Sequence, residues 1–582
     1  MKHEENGKNK TKRGVKEMNK GEQRRGITLI ALVITIVLLL ILAGLTLNLA
    51  LGNGALADKA KDAVKNYQLA QEQEEDIIEE LEANINPTEE GYNEIEGVNE
   101  PVLTEGMIPV TWNGSSWVKA DANTGDWYAY NTTDKQWANV VTVKESGTKS
   151  RTEYMSSTVG TEILEDDIVG MYVWIPRYSY RITSGYHQNA AGTGNIDIKF
   201  LKGTTDNYEG GEAIRSNVTN GEEFVVHPSF TKDTSQGGMK ETTGYWVAKF
   251  EASSNIAVKN NANISNTSEA SVKYGGGNTD TLEVTVRPNV TSWRSITAEN
   301  IFKVCRNITK DGNIQGLTNK VDPHMMKNSE WGAVAYLTQS AYGNKQGTDS
   351  SSGVWNNAYN ECLISKGEDT GSNYGGVSTF AVTLTGAVGN SKNAYTSYYA
   401  EQTSITDKNA DSITISFTEY AQNGTTTAKT QTYYKYYTTN GVKGSTTGNI
   451  YGIYDMSGGS WEYMADYLAN GTTSYVTYFK QNVDNKYKTE YQGSGETGST
   501  EDKTANYEAN SNRYGDALWE TSSGANGQYS WNNDYSGFPC LSDPFFIRGG
   551  SFSSSSSAGL FFFGDAAGGS SSSCGFRPVL GV

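Results

Sequence analysis

The sequence predicts an α+β fold, with a long N-terminal helix that crosses a membrane, followed by a strand-rich domain with loop-rich insertions. Three observations predict it. Residues 27–51 form an uncharged run, ITLIALVITIVLLLILAGLTLNLAL, and about 20 apolar residues span a bilayer. Beyond it, 36 Tyr, 12 Trp and 63 Gly with only 10 Pro among 582 residues favour strands and turns over helical bundles. Finally, two segments with helical spacing, Trp293 to Asn307 and Lys327 to Tyr342, stand among many strand-like aromatic words, the pattern of a mixed domain.

Taken in order, residues 1–26 are polar and rich in Lys and Arg. Positive charge before the apolar run and acidic chain after it place the N-terminus in the cytoplasm and the bulk outside. Residues 55–83 continue as a polar, charged helix, so that 27–85 reads as one membrane and stalk helix. Asn86-Pro87 and an acidic stretch form a linker over 86–105. At the head of the run, Arg24, Arg25 and Gly26 precede Ile27-Thr28-Leu29-Ile30. This order resembles the processing site of a type IV prepilin. The resemblance implies cleavage by a prepilin peptidase after Gly26, a methylated mature start at Ile27, and association with other pilins. The acidic residue usual at the fifth mature position of that family is Ala31 here, which points to a minor pilin or a pilin-like anchor.

A formal net charge of -18, with no cluster of Lys and Arg outside the N-terminus, disfavours nucleic-acid binding, which requires such a cluster. The four cysteines, Cys305, Cys362, Cys540 and Cys574, have no metal-ligand spacing, and the four histidines are scattered. No metal or cofactor is assigned, a structural calcium is left open, and a Cys540 to Cys574 bridge is not decided by spacing.

Residues 106–160 read as a small β-rich region of short strands between Asn-Gly and Thr-Gly turns. Its Trp112, Trp117, Trp127 and Trp137 suit a core or a sugar-stacking face, with the core favoured. Residues 161–582 form the main domain, and within it the polar stretch of about 343–443 reads as a loop-rich insertion.

Five words follow one another through this domain: GYWVAKFEAS, KNSEWGAVAYL, YGIYDMSGGSWEYM, FIRGGSF and the terminal CGFRPVLGV. Together they resemble the formylglycine-generating enzyme superfamily, the sulfatase-modifying factors, and its C-type lectin-like fold. The resemblance makes Trp461, Glu462, Arg548, Gly549, Gly550, Gly575, Phe576 and Arg577 framework positions. That enzyme uses paired cysteines just after its RGGS-like strand. Residues 553–559 hold none, so the sequence predicts no enzyme and no catalytic residue.

Between the last two words, IRGGSFSSSSSAGLFFFGDAAGGSSSSCGFRPVL interleaves serine runs with three phenylalanines. It resembles the variable region of proteins diversified by retroelements, spanning about 548–578. The ligand-binding face implied by this resemblance comprises Phe552, Ser554, Ser556, Phe561, Phe563, Asp565, Ser570 and Ser572, with Phe561 or Phe563 as the apolar anchor and Phe562 facing the opposite way by strand alternation. The expected function is therefore a cell-surface adhesin or receptor, anchored in the membrane or associated with a pilus, that binds an extracellular protein or glycan; a structural minor pilin is the rival.

Overall fold

Short runs rich in aromatic and β-branched residues build two seven-stranded sheets. A computed structural model describes residues 92–93, 97–188, 194–215, 222–256, 282–346, 352–366, 377–389, 400–409, 412–420, 426–494, 502–551, 554–571 and 573–582. In the first sheet the strand Ile168–Pro176, IVGMYVWIP, is buried at all nine positions, as an apolar run in the middle of a sheet should be. Gly244–Ala248 lies antiparallel to it and pairs Trp246 with Trp174, their rings 5.2 Å apart. The last strand, Pro578–Gly581, is inserted between Gly244–Ala248 and Asp322–Met325. The C-terminal word therefore closes against the first framework word.

On the other side of the same sheet lie Asn139–Val143, Ile108–Trp112 and Trp117–Lys119. The expected boundary near residue 160 is thus crossed by one continuous sheet, and 106–160 is part of the main domain. Trp117, Trp127 and Trp137 are in its core, and Trp112 packs partly buried against it.

The second sheet runs Thr489–Tyr491, Trp461–Leu468, Phe545–Gly549, Gly559–Ala566, Tyr535–Gly537 and Asn526–Tyr529, with the short Cys574–Gly575 strand parallel to Trp461 and Glu462. The stretch expected to be loop-rich is largely a five-stranded antiparallel sheet between Asn357–Lys366 and Thr426–Lys435. Its alternating Thr and Tyr, read from the sequence as polar loop, pair as strands because β-branched and aromatic side chains suit a pleated surface.

Both expected helices are present and shorter. Ala298–Arg306 starts where the Thr297 hydroxyl accepts from the Asn300 amide, and carries Glu299 in its first turn and Arg306 in its last, in accord with the helix dipole. Asn328–Thr338 starts where Glu330 accepts from the Lys327 amide at 2.8 Å. All eleven of its residues are buried, so it is a core helix between the sheets' elements rather than an amphipathic surface helix.

The predicted fold class is corrected. The described chain is mostly β-sheet with five short α-helices, and none of these is long and apolar enough to cross a membrane. The leader, the apolar run, and the processing residues Gly26 and Ile27 lie outside the described residues. A long N-terminal helix, and the membrane localisation inferred from it, therefore have no structural support. Glu89–Val582 forms a unit of its own.

Candidate functional site

The framework residues meet around one buried network. Arg577 donates through Nη2 to Glu462 Oε1 at 2.7 Å and through Nε to Glu462 Oε2 at 3.0 Å, with both side chains fully buried. Its remaining donors reach the Ala248 and Tyr454 carbonyls. Burial pushes the Glu462 carboxyl up to about 7, with the Arg577 guanidinium opposing. Since Glu462 sits in the Trp461–Leu468 strand and Arg577 precedes the terminal strand, this bidentate pair ties the two sheets together.

Arg548, also buried, donates to the Asp516 and Ala517 carbonyls at 3.1 and 3.2 Å. Gly549 and Gly550 follow it at φ +81° and +77°, a left-handed region that glycine alone enters without strain. The two glycines turn the chain into the first serine segment. Gly575 lies against Ser460, where a Cβ would come 2.8 Å from the hydroxyl, and Phe576 packs edge-on against Trp293 at 5.7 Å.

The segment between these framework words is built into the second sheet. Phe545–Gly549 pairs with Gly559–Ala566, setting Arg548 opposite Phe563 and Ile547 opposite Gly564. Residues 550–551 and 554–558 thus lie between these two paired strands, and after Ala566 the chain pairs Cys574 with Trp461. Both serine segments therefore emerge at the strand that carries Phe562.

Alternation along this strand decides the phenylalanines. Phe561 and Phe563 are wholly buried: Phe561 packs on Trp531 at 5.1 Å, and Phe563 lies under the Arg548 guanidinium at 6.0 Å, which also covers Trp331. The expectation that Phe561 or Phe563 anchors a ligand is corrected, because their face of the strand is the one turned to the core helix. Trp331 fixes that face by donating to the Leu560 carbonyl at 2.7 Å.

Phe562 points the other way and, although only 4% exposed, borders a cleft of about 630 Å³. Its ring lies 5.5 Å from that of Tyr535, tilted by 32°. Trp461 and Tyr463 add to the aromatic lining, Ser554 and Ser557 come from the first serine segment, and Ser570 and Ser571 from the second. Asp543 and Asp565 supply carboxylates, and Ile547 and Cys574 complete the floor. Tyr463 is held in place by donating to the Gly569 carbonyl at 3.0 Å.

Of the residues expected on the binding face, Ser554, Asp565 and Ser570 line the cleft. Ser556 is exposed outside it, and Phe552 and Ser572 lie outside the described residues. Sequence reasoning missed Tyr463, Tyr535, Asp543, Ser557 and Ser571, and assigned Trp461 to the framework alone.

Cys305, Cys540 and Cys574 are free and buried, so Cys540 and Cys574 form no bridge. Burial pushes both the Cys540 and the Cys574 thiol up to about 11, which disfavours the thiolate that nucleophilic or copper chemistry needs.

Among the described residues, one group has the spacing of metal ligands: Cys540, Asp543 and Asp565, with ligand atoms all within 4.8 Å of one another. Lys503 Nζ already lies 2.7 Å from Asp565 Oδ2. One thiol and two carboxylates make a poor calcium set, since that ion takes six to eight oxygens.

The chain matches no protein-family model and no curated protein.

Proposed function

We propose that this chain is a recognition protein without catalysis, whose C-type lectin-like domain holds a protein or glycan ligand in the cleft beside Phe562. The observation that carries the reading is the convergence of both serine segments, from opposite ends of the variable stretch, on one aromatic-lined cleft of about 630 Å³. That volume is within the range of pockets that enclose small ligands or the anchoring side chains of larger ones. The scaffold around it supports the reading: a buried ion pair and a pair of left-handed glycines hold the backbone, while the serines border the cleft beside the more deeply buried Phe562 ring. On the same reading, the exchangeable positions of a retroelement-diversified region are those facing the cleft. The absence of cysteine after the RGGS word and the high thiol pKa values favour binding over oxidation.

The test is a plug. Ser557, half-buried at the cleft, is replaced in Ser557→Trp, and the native and plugged chains are compared on peptide and glycan arrays. The reading expects array partners of the native chain to be lost on plugging. Partners retained in full by the plugged chain would place binding elsewhere.

A further inference from the structure

The chemistry of the cleft narrows the ligand class. Among the described residues, its lining holds two carboxylates, Asp543 and Asp565, and no Lys, Arg or His. Nearby, Lys503 pairs with Asp565, which leaves the two acids and one base with a net charge of about −1 at neutral pH. Among the described residues, Asp543 has no ion-pair partner. Its carboxylate accepts from the Ser542 hydroxyl at 3.1 Å. The two acids are also close, with oxygens within 4.8 Å of each other, so a cation placed between them would be attracted by both.

The aromatic groups point to the same chemistry. Tyr535 and Phe562 both line the cleft, their rings 5.5 Å apart, and aromatic rings attract ammonium and guanidinium groups. A neutral sugar is served less well, because the described lining has no Asn, Gln or Arg side chain to donate to its ring and hydroxyl oxygens. An anion finds no cation among the described lining residues. The chain's net charge of -18 adds a long-range field that draws positive ligands in.

We infer that the cleft takes the basic side chain of a peptide, its ammonium or guanidinium held by the Asp543 and Asp565 carboxylates beside the packed Tyr535 and Phe562 rings. This rests on the cleft being the ligand site.

Calorimetry with the full chain tests it, using the peptide acetyl-Lys-Gly-Lys-amide and its twin acetylated at both lysine ammonium groups. The charged peptide binds about tenfold more tightly than the acetylated one. Asp543→Asn removes that preference, whereas Glu105→Gln, which deletes the same charge at an exposed position, keeps it. Ser557→Trp abolishes binding. Equal affinity for the two peptides, or equal loss in the Asp543 and Glu105 variants, overturns the inference. If native chain instead retains a neutral glycan that the plug displaces, the basic-peptide assignment falls while the cleft stands as the binding site. Should the plug alter no binding at all, both fall.

Discussion

Arg577 and Glu462 form a fully buried bidentate pair, with nitrogen to oxygen distances of 2.7 and 3.0 Å. Arg577 immediately precedes the last strand of one sheet, and Glu462 lies in the second sheet beside the cleft. Removing one partner strands the other away from water, which typically costs about 3–5 kcal/mol. Arg577→Met should therefore lower the denaturation midpoint sharply. Arg577→Lys should recover only part of the loss, because an ammonium cannot reproduce the fork that also reaches the Ala248 and Tyr454 carbonyls. Full rescue by lysine would mean that charge alone, not geometry, matters here.

The three phenylalanines should separate by experiment. Phe561→Ala and Phe563→Ala each remove a ring from a filled core and should cost about 3–5 kcal/mol in chemical denaturation. Phe562→Ser should cost less, because that ring borders the cleft and its deletion opens space that water can enter. Equal losses for all three would contradict the assignment of faces.

At the turn into the first serine segment, Gly550 has φ +77°, and a Cβ there would come within 2.7 Å of Ala558. Gly550→Ala should destabilise by at least 1–2 kcal/mol from the left-handed backbone alone, roughly. Its effect on hydrogen exchange should extend to the serine loop. A neutral substitution would show that the loop's path does not depend on this turn.

Glu520 gives a pH signature. Burial pushes its carboxyl up to about 7, although the Gly515 amide and the Tyr336 and Tyr180 hydroxyls donate to it. Because the folded value lies above the ordinary 4.5, its contribution is fully present below pH about 4.5. It is lost as pH rises through about 7. Glu520→Gln should remove this decline, making the unfolding free energy flatter between these limits by up to about 1.4 kcal/mol per pH unit. Parallel pH profiles for the two chains would show that Glu520 ionises alike in folded and unfolded forms.

The words that met in space were legible in the sequence because each carries a local constraint. GG marks a left-handed turn, and Arg577 a buried clamp whose partner lies 115 residues away. Strand alternation also separated Phe562 from its neighbours. It did not say which face was core, because that depends on Trp331 and Arg548, brought in from distant segments. Tyr535 and Asp543 escaped for the same reason: nothing near them in the chain shows that a parallel bridge, Ser536 to Phe563, sets Tyr535 beside Phe562. The insertion was misread because Thr and Ser are common to loops and to solvated strands, and only the pairing distinguishes them. The apolar run near the N-terminus was read from its length and charge alone, and no described helix bears it out.

The most direct measurement is fluorine NMR on chains carrying fluorophenylalanine, titrated with a mixture of small aromatic, cationic and sugar fragments. With the cleft beside Phe562 as the ligand site, the Phe562 resonance shifts on titration while those of Phe561 and Phe563 stay in place. Fragment-induced shifts elsewhere, with Phe562 unmoved, would contradict it.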